Sequence, residues 1–237
     1  MNKRFQTLGL ISLVAISSMA FAVAQGVSIK RAAKEGQTYK YKMEGNVDMQ
    51  GTPVTLTGIV QEKIVKVEAN GNFALEQQQL EGKIMAGGQE MDMPAGNATI
   101  TTYKPTGEVV DIKGSSEDST SYRMSTLGLL IDPAKLVNVG DKWSHEVKAD
   151  TKTGLVAAKA DFEVVGEEKV GAVDTVKIKA VVKETEGSEP ASSESLLWID
   201  KKDGSTVKAE TKWTNAPFPG PAGPMILDAT IKLTRIE

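Results

Sequence analysis

Apolar and polar side chains alternate with a period of two residues along most of this chain. After Gly140, the residues Trp143, His145 and Val147 occupy every second position, with polar residues between them. The last such segment, residues 225–236, alternates in the same way. A period of two is typical of a half-buried β-strand, and it predicts a mainly β protein.

The strand pattern predicts about eleven long antiparallel strands. In the segment 54–67 the apolar positions change parity partway, which indicates a bulge and therefore a curved sheet. Asn70-Gly71 predicts a hairpin turn, and residues 86–97 have the composition of a loop. Helical spacing of apolar residues predicts one short helix near 122–131. The expected architecture is a curved half-barrel or open barrel, partly closed by that helix.

The chain shows weak internal repetition. Three pairs of glycine-marked strand entries and turns occur in the same order in both halves: Gly36/Tyr39 with Gly140/Trp143, Gly71 with Gly171, and Tyr103/Gly107 with Trp198/Gly204. They predict two related repeats, about 36–113 and 140–214, followed by a C-terminal strand at 225–236. The alternative to a duplication is that similar turn residues arose independently in a β-rich chain. The alternative to a single domain is two separate half-domains.

The first 24 residues have the pattern of a secretory signal peptide. Lys3 and Arg4 precede the apolar stretch 8–22, and Ala22-Val23-Ala24 is a small-x-small cleavage site. The alternative is a membrane anchor, but the apolar stretch is short for a membrane span. We therefore expect cleavage near Ala24, a single β domain over 25–237, and a periplasmic or extracellular location.

Composition narrows the possible partners. The chain has a net charge of −3 and no cysteine. A mildly acidic protein without a basic run is not expected to bind nucleic acid, and a chain without cysteine has neither disulfides nor thiol chemistry. No further segment approaches a transmembrane length, and no cofactor is predicted.

Few residues suggest catalysis or metal binding. His145 is the only histidine, no Gly-x-Ser-x-Gly sequence accompanies it, and an interior histidine is the simpler interpretation. Met85, Met91 and Met93 have a spacing that can bind Cu(I), although methionines also fill irregular space at the end of a core. We predict no enzyme activity and no metal site.

The layout is similar to that of uncharacterised secreted bacterial β-proteins. The resemblance rests on a Gly-Asp-x-Trp strand entry at 139–143 and on the Trp198–Gly204 hairpin. These proteins are distantly similar to the LolA/LolB-like envelope carriers, which implies a curved antiparallel sheet that holds acyl chains. The carriers have several helices over the sheet, whereas this sequence predicts one, and no functional residue is carried over.

The sequence leaves two main hypotheses for function. The first is a non-enzymatic envelope protein that binds an apolar, lipid-like ligand on the concave face of the sheet. The predicted lining is Tyr39, Tyr41, Trp143, Val147, Val176, Ile178, Trp198, Leu227 and Ile231, with Leu127 and Leu130 on the helix as a lid. The second is a structural or protein-interaction module of the envelope, with edge strands or the segment 216–224 as its contact surface. A hydrolase is the third and weakest hypothesis.

Overall fold

The structure is a computed structural model that describes residues 26–49, 51–114, 119–218 and 223–236. The predicted signal peptide and its cleavage site near Ala24 lie outside the described residues.

The described residues form twelve β-strands and one α-helix. Their bounds are β1 Thr38–Met49, β2 Thr52–Val67, β3 Phe73–Ala86, β4 Gln89–Met93, β5 Thr99–Tyr103, β6 Val109–Gly114, α1 Ser119–Leu127, β7 Lys142–Val147, β8 Ala158–Val170, β9 Val173–Glu184, β10 Ser192–Asp200, β11 Thr206–Phe218 and β12 Met225–Arg235. The mainly β architecture with one short helix is confirmed. The extra strand is β4, in the segment predicted as a loop.

All twelve strands belong to one open, curved antiparallel sheet. The order is β6-β5-β3-β2-β1-β12-β11-β10-β9-β8-β7, and β4 pairs with the far end of β3. The last strand therefore lies at the centre, between β1 and β11. The curvature brings the two edges of the sheet near each other. Nε2 of His145 on β7 lies 3.5 Å from Oε1 of Glu108, one residue before β6.

A bulge at Val65 produces the predicted change of parity in β2, and a second bulge places its extra residue, Leu80, in β3. The register between β2 and β3 shifts between Ile59 and Val60 and again between Ile64 and Lys66. The extra residue in each bulge reverses which side chains face the core and bends the strand. The predicted turn at Asn70-Gly71 is also present: the Gly71 N–H donates to the Glu68 carbonyl at 2.9 Å.

The two halves share local geometry where the repeat was predicted. Before β1, the Gly36 N–H donates to the Ile64 carbonyl at 2.8 Å, and before β7 the Gly140 N–H donates to the Val164 carbonyl at 2.8 Å. A register shift follows immediately after both acceptors, between Val164 and Gly166 in the second half. A common origin for the halves stays a prediction.

The helix and the segment after it cover the sheet's inner face, which we define as the face carrying Tyr41, Ile178 and Ile231. α1 ends at Leu127, where the Gly128 N–H donates to the Met124 carbonyl, so the last residues of the predicted helix lie outside it. Side chains from this region pack with β8, β9 and β10 into one core. Its buried members are Ile29, Leu127, Leu129, Ile131, Val137, Ala158, Ala160, Phe162, Val164, Val176, Ile178, Ala180, Val182, Ala191, Ile199 and Ala216.

An ion pair fixes α1 against the second half. Arg123 donates from Nε and Nη2 to the two carboxylate oxygens of Glu184 on β9, at 2.6 and 2.7 Å. The Ala191 N–H donates to the same carboxylate at 2.7 Å. Glu184 is thus held by three hydrogen bonds in a site where its side chain is only 2% exposed.

The segment before β1 crosses the end of the sheet. The Val27 and Val137 backbones exchange two hydrogen bonds of 2.8 Å, and Ile29 is buried in the core. The Ala32 N–H then donates to the Asp203 carbonyl in the β10–β11 turn. These contacts place Arg31 beside the first half of the inner face.

Candidate functional site

A cavity of about 430 Å³ lies between α1 and the inner face of the sheet, where strands of the first half meet β10, β11 and β12. Helix residues Met124 and Ser125 form its roof, followed by Gly128 and Leu130. Its floor comes from β1, β2, β3, β5, β10, β11 and β12. The volume falls within the range of about 300–1,000 Å³ that is typical of small-molecule sites.

The cavity exists because the helix fills only one half of the inner face. Leu127, Leu129 and Ile131 point into the second half, where they meet Phe162 and Ile178. In the first half, the large buried side chains, such as Tyr41, Ile64 and Ile112, come from the sheet itself.

The cavity has an apolar wall and a polar wall. The apolar wall is formed mainly by Leu197, Ala209, Trp213, Ile231 and Leu233, on β10, β11 and β12. The polar wall lies on β2, β3 and β5, and its residues are Glu62, Gln77, Thr99, Thr101 and Tyr103. Such a division suits a molecule that has an apolar body and a polar end.

Glu62 is the ionisable group of the polar wall. Its neighbours Val60 and Ile64 are buried on the same face of β2, so strand alternation directs the carboxyl inward. The side chain is half-buried, and its carboxyl is in contact with the open cavity. Burial raises the pKa of Glu62, although the charge of Arg31 and the Tyr41 hydroxyl oppose this effect.

The hydrogen bonds around Glu62 leave its carboxylate short of donors. Nε2 of Gln77 approaches Oε1 at 3.4 Å, which is a long contact. The Tyr41 hydroxyl has one proton, and it donates to the Thr206 carbonyl at 3.0 Å. The same proton therefore cannot fully serve the Glu62 carboxylate.

Tyr103 closes the polar wall on the side of β5. Its ring stacks on Phe73, with centroids 5.4 Å apart. Burial, reinforced by the negative charge of Glu62, raises the pKa of Tyr103 to about 12. The Tyr103 hydroxyl is neutral at physiological pH and hydrogen-bonds with Thr101 on the same wall.

A smaller cavity of about 220 Å³ adjoins the large one and shares Glu62, Tyr103 and Leu130 with it. Arg31 and Asp132 add a positive and a negative charge to its lining. Among the described residues, no carboxylate oxygen lies within the 4.0 Å of Arg31 that defines an ion pair. The junction at Glu62 thus joins a largely apolar space to a charged one.

A polar cluster lies beside this junction, at the start of β1. The Tyr39 ring has the guanidinium groups of Arg31 and Arg235 at 5.4 and 4.6 Å from its centroid, and its hydroxyl donates to Asp203 at 2.6 Å. Burial opposes ionisation of Asp203, but hydrogen bonds from Ser205 and Tyr39 outweigh it and lower the pKa to about 2. This cluster fixes the β10–β11 turn to the segment before β1.

The structure divides the predicted lining residues among several places. Tyr41, Ile231 and Leu130 line the large cavity. Five others lie in or against the packed core of the second half, namely Leu127, Trp143, Val147, Val176 and Ile178. Leu227 shares the parity of Ile231 but lies nearer the start of β12, away from the cavity lining. Tyr39 belongs to the polar cluster.

Trp198, by contrast, lies on the outer face. It pairs across the sheet with Lys177 and Lys208, whose ammonium groups lie 4.6 and 4.1 Å from its ring centroid. Its Nε1–H donates to Glu168. The long lysine side chains cover the indole, so Trp198 is buried although it does not face the core.

The sequence interpretation missed the polar wall. Glu62 was not among the predicted lining residues, although its position between Val60 and Ile64 places it on the apolar parity of β2. Gln77 and Thr101 become neighbours of Glu62 only through the pairing of β2, β3 and β5. The alternation could have identified Glu62, but not its partners.

The other candidates for chemistry lie elsewhere. Met91 and Met93 lie opposite Ile84 and Gly82, whereas Met85 lies opposite Glu90, so the three methionines do not share one face of the β3–β4 hairpin. Over the part of the chain that the structure describes, no group of three or more His, Cys, Asp or Glu side chains could hold a metal ion. Within the same residues, no helix has the length and apolar character needed to span a membrane.

Comparisons with known proteins give no family. No protein-family model matches the chain, and no curated protein matches it. Among solved structures, the chain is similar to the hypothetical lipoprotein YmcC from Escherichia coli, with a TM-score of 0.33, 11% identity, and coverage of 86% of this chain and 90% of that one. It is also similar to a DUF1329 family protein from Desulfovibrio piger, with a TM-score of 0.25, 9% identity and coverage of 85% of each chain.

These likenesses are too low to carry an argument about function. Neither protein is described as a LolA- or LolB-like carrier, so that specific resemblance stays a prediction. The function is argued below from the residues of this chain.

Proposed function

We propose that this chain is an exported, non-enzymatic protein that binds an apolar, lipid-like ligand in the large cavity under α1. The observation that carries the proposal is the cavity of about 430 Å³ on the inner face, beside a second half whose inner face is filled by a packed core. Export is supported by the basic residues, apolar stretch and cleavage site within residues 1–24.

The apolar wall supports an acyl or similar ligand. Leu197, Ala209, Ile231 and Leu233 present aliphatic surface on three adjacent strands. Burying a ligand's apolar surface there contributes about 25 cal/mol for each Å² removed from water. A cavity of this size suits one chain or one ring system.

A cavity-filling substitution tests the proposal. Ala209 lines the cavity from β11, and Ala209→Phe places a ring in the space that the ligand needs. Thr230→Phe is the matched control, because Thr230 is exposed on the outer face of β12. The mature protein is isolated from its own envelope, and co-purifying molecules are measured by native mass spectrometry and organic extraction.

We expect a stoichiometric lipid-like molecule on the wild type and on Thr230→Phe, and its loss from a folded Ala209→Phe variant. A clean apo mass for the wild type, with no uptake of added lipids, contradicts the proposal.

A contact surface at one end of the sheet favours a second candidate, an interaction module of the envelope. Met49, Met85, Met91 and Ile226 are exposed, and strand pairing brings them to the same end of the sheet. Together they form an apolar surface that a partner protein can contact. Cross-linking from Met85→Cys and Ile226→Cys variants in the native envelope tests this candidate. The expected result is a specific cross-link to another protein at both positions.

A further inference from the structure

The strongest unexplained feature of the cavity is a carboxyl group with too few hydrogen-bond donors. Glu62 lies where the large and small cavities meet, and both spaces touch its side chain. The donors beside it are a long amide contact from Gln77 and a Tyr41 hydroxyl whose proton is already engaged by Thr206. Glu62 is half-buried, and a carboxylate with so few donors gains from a donor that the ligand supplies.

We propose that Glu62 accepts a hydrogen bond from the polar head of the bound ligand, and that this head is an uncharged hydrogen-bond donor such as the hydroxyl groups of a glycerol ester. This inference rests on the proposed function, since it names the chemical class of the ligand in the same cavity. The tail would lie against the aliphatic wall formed by Leu197, Ile231 and Leu233.

The junction carries charges of both signs, so a charged head of either sign meets one repulsion there. An anionic head would meet the negative charges of Glu62 and Asp132, which both line the small cavity. A cationic head would meet Arg31, which lines the same cavity and has no carboxylate within 4.0 Å among the described residues. A neutral hydroxyl avoids both repulsions and still satisfies the carboxylate.

The surrounding hydroxyls fit the same class of ligand. Thr101 and Tyr103 lie on the polar wall beside Glu62, and the Tyr103 hydroxyl can both donate and accept. A head with two hydroxyl groups can therefore donate to Glu62 and exchange a further hydrogen bond with Tyr103.

Four amphiphiles with the same tail separate the alternatives. They are monododecanoylglycerol, its dimethyl ether without hydroxyl protons, dodecanoate and dodecylamine, each used below its micelle concentration near neutral pH. Binding to the delipidated mature protein is measured by isothermal titration calorimetry. We expect monododecanoylglycerol to bind about tenfold more tightly than its dimethyl ether, because a hydrogen bond to a charged acceptor is lost in the ether.

Variants connect this preference to the proposed residue. Glu62→Leu removes the acceptor, and we expect monododecanoylglycerol to lose about tenfold in affinity while the dimethyl ether is unaffected. Glu62→Gln keeps an uncharged acceptor and should restore part of the loss; it also provides the test if Glu62→Leu does not fold. Glu76→Leu is the matched control, because Glu76 pairs with Lys63 on the outer face.

The outcomes separate this inference from the function on which it rests. Equal affinity for monododecanoylglycerol and its ether, tightest binding of dodecanoate or dodecylamine, or an unchanged preference in the Glu62 variants overturns the assignment of Glu62 while leaving a lipid-binding cavity. If none of the four amphiphiles binds, the proposed function fails together with the inference.

Discussion

The ion pair between Arg123 and Glu184 should hold α1 over the sheet, and its removal is the sharpest test of this arrangement. Replacing Arg123 by Met leaves the Glu184 carboxylate at 2% exposure with one remaining hydrogen bond, from the Ala191 N–H. Breaking a buried pair by removing one partner costs about 3–5 kcal/mol. We expect about 3 kcal/mol for Arg123→Met, since Arg123 itself is 20% exposed and some water can reach the site.

The reverse substitution should cost less. Glu184→Leu leaves the guanidinium of Arg123, which can turn towards water, so we expect a loss of about 1–2 kcal/mol. The double variant removes both charges and should be more stable than the sum of the single effects predicts, by at least about 1 kcal/mol. Unfolding in urea, followed by circular dichroism, gives the free energy of unfolding for each variant.

An exposed ion pair provides the control. Lys142 and Glu163 lie 3.3 Å apart with side-chain exposures of 68% and 39%, so Lys142→Met should change stability by less than about 0.5 kcal/mol. A cost below about 1 kcal/mol for Arg123→Met, or additive effects in the double variant, would refute our account of how α1 is held.

Two further predictions concern the β10–β11 turn. Gly204 has φ of +68°, and an added Cβ would lie 2.3 Å from the Lys30 carbonyl oxygen. Gly140 has φ of +92°, but no atom lies within 4 Å of a Cβ added there. Gly204→Ala should therefore lower the free energy of unfolding by at least about 2 kcal/mol more than Gly140→Ala, and equal denaturation midpoints would contradict this. The pKa of Asp203 is lowered to about 2, because the hydrogen bonds from Ser205 and its neighbours outweigh burial. The folded pKa is below the unfolded value, so this stabilisation is present above about pH 4 and is lost as the pH falls towards 2. Asp203→Asn should remove about 1 kcal/mol of that dependence after allowance for partial exposure, and an unchanged acid limb in the stability profile is the contrary result.

The sequence predicted the sheet because apolar and polar side chains alternate within each long strand, and this pattern depends only on neighbouring residues. The parity change in residues 54–67 even predicted a bulge, which the register shift between Ile64 and Lys66 now locates. β4 was missed because Gln89, Glu90, Met91 and Asp92 are all exposed, so no buried face marks the strand.

The site was less predictable because it depends on contacts between distant strands. Trp198 was assigned to the wrong face, since both Trp198 and its neighbour Ile199 are apolar and buried, and local alternation cannot distinguish them. Glu62 was overlooked because a carboxylate is usually solvated. The helix filling one half of the inner face, and leaving the other half open, is a property of tertiary packing that no local pattern contains.

The central position of β12 has a consequence for how the protein folds. β12 joins β1 to β11, and its pairs with β1, such as Tyr41 with Arg235, connect residues almost a whole chain length apart. Neither half can become part of one continuous sheet before this strand has been made. Such long-range contacts slow folding, and during synthesis the edges of β1 and β11 that pair with β12 remain open until this strand is available. The folding chain therefore passes through a period in which these two edges can pair with other chains and aggregate.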